Sequence, residues 1–408
     1  MRLLKIFIFG LMVILISRFV YSQGWYAINI TNTQSISTPS PFQQDIAICN
    51  GSINMGNSFA YINNATLFNE INSNGSNVYF ATTNNSTPNI YSWYEGQLIN
   101  GSTYCDVWWV NLSNGIPANS NVTIYMYIGN SSCNYYSQYY PYVGTNEQVI
   151  GTMQYDNGNY TFIAYGYFNN TFDGWNGYVY QGSWSPTATQ YGIEMLNGAL
   201  TGEGTYILPP NNWNIPEIPL IVEEAWYDGA NAGANIISLF GNATNQVNAY
   251  NVGNVGEQYA SVPNSSTFGE IYSSNGYIYL ESSVTNQVLN STYSSSLSNN
   301  GGIAIYYSYL IVNLTYAEVG WYWYSHNGYT GEFAPLTLLD TYTYNVYNSN
   351  NINNNISAYT YSNLNYNPFQ YSTLEISAGS GVGTYIYVEW VIARAYPPNG
   401  VMPSIYIS

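Results

Sequence analysis

The sequence predicts an all-β chain made of two antiparallel β-sandwich domains. Short runs rich in Tyr, Val, Ile and Trp recur along the chain, and some alternate in polarity as half-buried strands do. Asn-Gly and Asp-Gly pairs, together with Asn/Ser clusters, separate the runs and supply the turns. Many short strands at regular spacing indicate sandwiches or jelly rolls. The clearest runs are residues 122–128, 276–280, 303–312, 319–324 and 385–393.

The first 22 residues are predicted to be a signal peptide. Arg2 and Lys5 precede an apolar run at residues 6–17, which is short for a membrane span. Small residues near position 22 predict a mature start at Gln23. Arg18 lies close to the end of the apolar run, so an uncleaved anchor is the alternative. We expect the remainder of the chain to be secreted or on the cell surface.

Beyond this segment Arg394 is the one basic side chain, against 21 Asp and Glu in the chain. Without a basic patch the protein cannot neutralise phosphates, which excludes nucleic acid as a partner. The lack of Lys after position 5 excludes a P-loop or Schiff-base lysine, and the single imidazole, His326, excludes a His metal cluster. An acidic extracellular setting fits this composition, because protonation there would neutralise the carboxylates.

Three cysteines, Cys49, Cys105 and Cys133, allow three alternative pairings in an oxidising compartment and leave one thiol over. No CxxC motif occurs, so a zinc or redox centre is not expected. The sequence itself does not choose among the pairings. Our prediction is Cys49 with Cys133.

The density of Asn-x-Ser/Thr sequons falls near residue 170, which we take as a domain boundary. We predict a signal segment at 1–22, a first sandwich at 23–168, a second domain at 169–396 and a C-terminal tail at 397–408. Compositional bias alone yields many sequons, and the other interpretation is a glycosylated surface. The glycosylation candidates are Asn29, Asn50, Asn64, Asn74, Asn100, Asn121 and Asn130.

The first domain resembles domain of unknown function 2341, which occurs in archaeal and bacterial surface proteins. The resemblance depends on the order and spacing of several motifs, each of which is weak alone. They are GWYAINI at 24–30, WYE at 93–95, DVWWV at 106–110, IPAN at 116–119, IYMYIGN at 124–130 and YDNG at 155–158.

The partner domain in that family is similar to the concanavalin A-like lectin/glucanase jelly roll. Its starting Phe-Asp-Gly motif is matched by residues 172–174, and its last strand by EWVIARAY at 389–396. The resemblance therefore implies that residues 169–396 form such a jelly roll. This chain departs from the family in having almost no Lys or Arg.

Jelly rolls of this class include glucanases, which act through paired carboxylates. Glu223 and Glu224 would point to opposite faces of one strand. Glu224 and Asp228 would share a face but lie roughly 13 Å apart along it. Because glycosidases need a closer pair, we expect no catalytic residues and no enzyme activity. A divergent glycoside hydrolase stays as an alternative.

Three further groups of residues are candidates for binding or structure. Calcium prefers hard oxygen ligands such as Asp156 and Asp173, although turns use the same residue types, and no other cofactor is expected. Aromatic rings stack on sugars, which nominates Trp108, Trp321 and Trp323 unless they face a core. Arg394, with Glu389 and Trp390, is predicted to be structural. Because Glu389 and Arg394 face opposite sides of one strand, an acid from another strand should pair with Arg394.

These features predict a secreted, non-catalytic surface or envelope protein that binds glycans or acts in adhesion. Its partners would be glycans or neighbouring surface proteins, with membrane contact only through an uncleaved N-terminal segment. The alternative is a homo-oligomer, a self-assembling subunit of an extracellular fibre, envelope or virion coat. In that case the strand at 25–30 would complete a neighbour's sheet.

Overall fold

The protein is represented by a computed structural model. It describes residues 24–53, 56–181, 185–196, 204–210, 216–228, 234–240, 267–270, 277–282, 287–293, 305–313, 316–324, 357–362, 373–379 and 385–408. The predicted signal segment and His326 lie outside the described residues. Within the described part, no helix is long and apolar enough to cross a membrane.

The first domain consists of short strands joined by one-turn helices. The strands are β1 (Gly24–Asn32), β2 (Phe42–Cys49), β3 (Tyr61–Asn63), β4 (Val78–Ala81), β5 (Ser92–Asn100), β6 (Thr103–Leu112), β7 (Ser120–Ile128) and β8 (Val143–Thr145). The helices are α1 (Ala65–Phe68), α2 (Tyr135–Tyr139), α3 (Glu147–Ile150) and α4 (Gly158–Thr161), with 3-10 turns at Gly56–Ser58 and Met153–Tyr155.

In the part of the second domain that the structure describes, the elements are strands and a 3-10 turn at Pro398–Gly400. Its described strands are β9 (Ala164–Tyr167), β10 (Asn176–Gln181), β11 (Thr187–Thr189), β12 (Gly192–Leu196), β13 (Gly204–Leu208), β14 (Leu220–Asp228), β15 (Ala234–Phe240) and β16 (Thr267–Glu270). They continue with β17 (Tyr277–Ser282), β18 (Gln287–Tyr293), β19 (Ile305–Val312), β20 (Tyr316–Tyr324), β21 (Ser357–Ser362), β22 (Thr373–Gly379) and β23 (Tyr385–Ala395), and β24 (Ser404–Ile407) follows the 3-10 turn.

Four sheets form two sandwiches. In the first domain a four-stranded sheet in the order β24-β1-β7-β4 packs on a five-stranded sheet in the order β3-β2-β6-β5-β8. In the second domain a seven-stranded sheet, β10-β13-β22-β15-β16-β17-β18, packs on an eight-stranded one, β11-β12-β23-β14-β19-β20-β21, with β9 attached to β23. Except for the parallel pairs β2–β3 and β5–β8, neighbours are antiparallel. The predicted all-β fold with two antiparallel sandwiches is confirmed.

The five-stranded sheet is covered on both faces along β2 and the middle of β6. On β1 and β7 buried residues alternate with partly exposed ones, as expected for a sheet with one core face. Every residue of β2 is buried, because its second face packs against β23 of the other domain. Adjacent residues on β6 therefore enter different cores. Trp108 packs on Phe80 of the first sandwich, whereas Trp109 faces Phe162 and the second domain.

Strand pairing connects the two domains at two places, one before and one after the predicted second domain. Strand β9 pairs with β23, with Tyr167 opposite Trp390, so this sheet takes a strand from before residue 169. The predicted tail at 397–408 forms β24, which pairs with β1 so that Ile28 lies opposite Ile407. The idea of a free terminal strand at 25–30 is wrong for this structure, because β1 lies between β24 and β7.

Candidate functional site

Four tyrosines from three segments form a cluster on the surface of the first domain. We call Tyr91, Tyr140, Tyr142 and Tyr160 the tyrosine platform. Tyr140, Tyr142 and Tyr160 expose 44%, 37% and 45% of their surface, which is high for large aromatic side chains. Exposed rings grouped in this way mark a contact surface.

Strand pairing brings the first two rings together. Tyr91 and Tyr142 immediately precede β5 and β8, which are parallel neighbours with Ser92 opposite Val143. The backbone N–H of Ser92 donates to the carbonyl of Tyr142 at 2.9 Å. As a result the two rings stack with centroids 4.6 Å apart and planes inclined by 12°.

The other two rings are added by α4 and by the segment before β8. Tyr160 lies on α4, and its carbonyl accepts a hydrogen bond from the Nδ2 of Asn111 at 3.2 Å. Its ring stacks on Tyr91 at 5.4 Å and 25°. Tyr140 presents its ring to Tyr160 edge to face, at 6.3 Å and 84°. The platform is thus a stack of three rings with a fourth at its side.

A buried amide holds the backbone under the platform. Asn157 is fully buried, and its Nδ2 donates to the carbonyls of Ser92 at 2.9 Å and Pro141 at 2.8 Å. These bonds connect the chain before α4 to the segments that carry Tyr91 and Tyr142. The ring positions are therefore fixed by strand pairing and by an internal hydrogen-bond network.

The platform itself is uncharged. Burial raises the pKa of Tyr91, and the neighbouring tyrosines add to this shift. Burial likewise raises the pKa of Tyr140. Since a phenol ordinarily titrates near pH 10, both hydroxyls are neutral under physiological conditions. Neutral rings with hydroxyl groups suit polar, uncharged ligands.

Asp156, predicted to bind calcium, has a structural role beside the platform. Its carboxylate accepts hydrogen bonds from Trp93 Nε1 at 3.1 Å, the Gly158 N–H at 3.0 Å and the Tyr165 hydroxyl at 2.7 Å. Burial raises its pKa to about 6, although these donors lower it. Because Trp93 lies on β5 and Tyr165 on β9, Asp156 connects the two domains.

Asp173, the other calcium candidate, accepts the backbone N–H of Tyr167 at 3.1 Å. Burial raises its pKa to about 7, with a further contribution from Asp156 and then Glu147. The structure therefore places both candidates in one acidic neighbourhood. Across the described residues, however, no three His, Cys, Asp or Glu side chains are placed to hold a metal ion.

The sugar-stacking prediction for Trp108 is wrong. Trp108 is only 1% exposed and packs against Phe80 and Tyr94 inside the first sandwich. Trp321 and Trp323 lie on β20 opposite Ser308 and Tyr306 of β19. Their side chains lie outside the described part, so their role stays a prediction.

The predicted disulfide between Cys49 and Cys133 is also wrong. Cys49 is bonded to Cys105, which lies directly opposite it in the β2–β6 pair. Cys133 is a half-buried free thiol that donates to Asn130 Oδ1 at 3.4 Å. The sequence could not reveal this pairing, because it follows from the register of two strands far apart in the chain.

Arg394 lies at the contact between the domains. We call the buried group formed by Arg394, Glu223, Trp109, Gln43 and Asp45 the joint. Its Nε pairs with Glu223 Oε2 of the neighbouring strand β14 at 3.1 Å. Its guanidinium lies 4.9 Å from the ring centroid of Trp109 in the first domain. Nearby, the Ala395 N–H donates to Gln43 Oε1 at 2.8 Å. The acid that pairs with Arg394 therefore comes from another strand, as the spacing predicted.

Other acids around the joint are also buried. Burial raises the pKa of Glu223, and the guanidinium of Arg394 partly offsets that effect. Burial raises the pKa of Asp45 to about 7, against hydrogen bonding by Ala60 and the charge of Arg394. On the same strand as Arg394, Glu389 and Trp390 are 0% and 1% exposed.

The glycosylation candidates remain predictions, and five of the seven share one geometric feature. Five of them accept hydrogen bonds through Oδ1, and within the described residues their Nδ2, the glycan attachment atom, makes no hydrogen bond. These are Asn29, Asn50, Asn64, Asn74 and Asn130. Asn121 is exposed at the start of β7, and Asn100 ends β5.

Sequence reasoning missed the tyrosine platform. The chain contains 47 Tyr, so no single tyrosine is conspicuous. The one available signal was Tyr-Pro-Tyr at 140–142, which interrupts the strand pattern just before β8. Without the register of β5 and β8, that signal could not be connected to Tyr91 or Tyr160.

No family model matches the chain, so its resemblance to domain of unknown function 2341 stays a prediction. Among curated proteins it is similar to "Uncharacterized protein 562" of Sulfolobus islandicus rod-shaped virus 1, with 28% identity over 392 residues. That alignment covers 93% of this chain. The chain spans 58% of the length of this relative.

Solved structures with some likeness to the chain include two lectin-type domains and a lectin-like protein. The VIP36 exoplasmic/lumenal domain, bound to Ca2+ and Man3GlcNAc, has a TM-score of 0.35 at 10% identity and covers 57% of this chain and 88% of its own. Lectin I of Ulex europaeus has a TM-score of 0.30 at 8% identity, covering 54% and 97%. Arcelin-5 of Phaseolus vulgaris has 0.29 at 7%, covering 55% and 100%. Likeness at this level identifies no ligand for this chain.

Proposed function

We propose that this chain is an exported, non-catalytic protein of an extracellular surface that binds glycans. The tyrosine platform is the observation that carries the proposal, because it offers grouped, exposed rings on a rigid β framework. Aromatic faces of this kind stack on the C–H faces of sugars while the hydroxyl groups stay in water. The Cys49–Cys105 disulfide supports an oxidising, extracellular location.

The positions of three described strand carboxylates support a non-catalytic role. Glu223 is engaged by Arg394, and Glu224 and Glu389 are both 0% exposed. A glycosidase needs two carboxyl groups that flank a sugar bond within reach of the polymer. Buried carboxylates of this kind do not meet a polysaccharide from solution.

A glycan array probed with the fluorescently labelled full-length exported chain tests the proposal. Binding to defined glycans at pH 4 and at pH 7 is the expected result. Absence of binding at both values, with protein shown to be folded by circular dichroism, would overturn it.

A second candidate is a structural subunit of a virion or envelope. Similarity to a protein of a rod-shaped virus over most of this chain is the observation that favours it. Negative-stain microscopy of the purified chain distinguishes the two. Regular filaments or sheets would favour the structural subunit, and dispersed particles would favour the binding protein.

A further inference from the structure

We infer that the tyrosine platform binds neutral pyranose glycans and rejects anionic ones. This inference rests on the proposed function and names the class of ligand and the residues that bind it. The occupant would lie on the exposed surfaces of Tyr140, Tyr142 and Tyr160, with Tyr91 as the supporting ring between two of them.

The first argument is the shape of the surface. Tyr142 and Tyr160 both stack on Tyr91 with small inclinations, so the three ring planes are nearly parallel and each outer ring keeps the face that points away from Tyr91 for one sugar. A pyranose ring has a flat C–H face of similar size, and contact between the two removes apolar area from water on both sides. The phenolic hydroxyls at the ring edges can exchange hydrogen bonds with sugar hydroxyls.

The second argument is charge. Anionic sugars such as uronates or sulfated glycans are usually held by Arg or Lys. In the described residues Arg394 is the basic side chain, and it is buried and paired with Glu223. The sequence has no Lys or Arg between positions 18 and 394, and its formal net charge is −17. An anionic glycan would find no counter-charge and would be repelled, which leaves neutral glycans.

The third argument is preorganisation. Immobilising a free side chain on binding costs about 0.5–1.5 kcal/mol. The platform rings already contact one another, and their backbone is fixed by Asn157 and by the β5–β8 pairing. Little ordering is left to occur on binding, which suits the weak, repeated contacts of an adhesive protein.

Affinity electrophoresis of the full chain tests the inference, with soluble mannan and mixed-linkage β-glucan as neutral probes and polygalacturonate as the anionic probe. We expect retardation by at least one neutral probe and none by polygalacturonate. Tyr142→Ala and Tyr160→Ala should each weaken binding by roughly fivefold to tenfold, because each removes one stacking ring. The double variant should abolish detectable binding.

Matched variants separate stacking from other effects. Tyr142→Phe and Tyr160→Phe keep the rings and should keep most of the affinity. Tyr406→Ala removes a ring that is 49% exposed on β24, in the other sheet, and should have no effect. Melting curves confirm that each variant is folded.

The possible failures can be distinguished. If neutral glycans bind but the platform variants bind equally well, the inference is wrong and the proposed function stands. If no probe binds and the glycan array is also empty, both fail. Binding to polygalacturonate overturns the neutral class. Self-association in sedimentation that the double variant abolishes would show instead that the platform contacts a second copy of the chain.

Discussion

The joint buries charged side chains, whereas the tyrosine platform exposes aromatic rings. Both placements are the reverse of what is usual for these residue types. At the joint, Arg394, Glu223 and Asp45 are buried beside Trp109. On the platform, Tyr140, Tyr142 and Tyr160 are exposed. Most proteins bury aromatics and expose ionised groups. This chain uses Arg394, its one Lys or Arg after position 18, for internal structure, and it leaves a group of tyrosine rings on its surface.

This difference indicates which region determines stability and which is free for binding. A buried ion pair contributes strongly when one partner is removed, because the other charge is left without compensation. An exposed ring removed from the surface usually changes folding little. Variants at the joint should therefore change the free energy of unfolding, and variants on the platform should change affinity.

The largest expected effect is at Arg394. Replacing it with Met leaves Glu223 buried without its cation and should cost about 3–5 kcal/mol of unfolding free energy in urea titrations. Adding Glu223→Gln to this variant removes both charges and should restore much of the loss. Unchanged unfolding of Arg394→Met would show that the joint is not what holds the domains together.

The next effect is at the disulfide, which connects the strand of Asp45 to the strand of Trp109. Replacing both Cys49 and Cys105 with Ala should cost about 2–4 kcal/mol, because the unfolded chain gains freedom. Cys133→Ala is the control and should change the melting temperature little. Equal melting of all three proteins would contradict the Cys49–Cys105 bond.

The third effect is a free energy of unfolding that increases as the pH is lowered. Burial raises the pKa of Asp45, Asp106 and Asp173 to about 7, and that of Asp156 to about 6. Each group binds its proton more tightly in the folded chain than in the unfolded one. Its stabilisation is therefore complete below the ordinary pKa of 3.8, falls as the pH rises above that value, and has been lost once the pH passes the folded pKa of about 6 or about 7. For any one of these groups the loss stays within about 1.4 kcal/mol for each pH unit, which is the limit for a single proton.

Urea midpoints at pH 4, 6 and 8 measure this slope, and Asp106→Asn provides its control. Asp106 Oδ1 accepts from Tyr94 at 2.6 Å and from Gln97 at 3.5 Å, so an amide can keep that acceptor without titrating. The variant should remove the contribution of one carboxyl from the slope. A protein that is most stable at pH 8 would contradict the raised pKa values of these four buried Asp residues.

The smallest expected effect on stability is at the platform. Tyr142→Ala and Tyr160→Ala should change the free energy of unfolding by less than about 1 kcal/mol, while they weaken glycan binding as described above. Differential scanning calorimetry checks this. A loss as large as that at Arg394 would mean that the platform is part of the core.

Strands could be predicted from the sequence where one face of their sheet is buried and the other is exposed, because their residues then alternate in polarity. On β7, the alternation that ends in Ile124, Met126 and Ile128 shows this pattern in the structure. The five-stranded sheet was harder, because burial of both faces hides the direction of each side chain. Trp108 and Trp109 could not be assigned to the correct cores for this reason.

Features that depend on strand register could not be predicted. The spacing of Glu389 and Arg394 predicted an acid from another strand, but only the pairing of β14 with β23 identifies Glu223. The same applies to the disulfide and to the platform. In each case residues far apart in sequence become neighbours through pairing that local patterns do not encode.

The pairing of β24 with β1 means that one edge of the first sheet can be completed only after the second domain has been synthesised. During synthesis, the first domain is complete except for its edge strand long before residue 404 exists. Until then the backbone groups of β1 at that edge have no strand to bind, and an open edge can pair with other chains. Residues 404–407 thus close a sheet whose other strands lie within residues 24–128, so this edge of β1 stays open until they have been made.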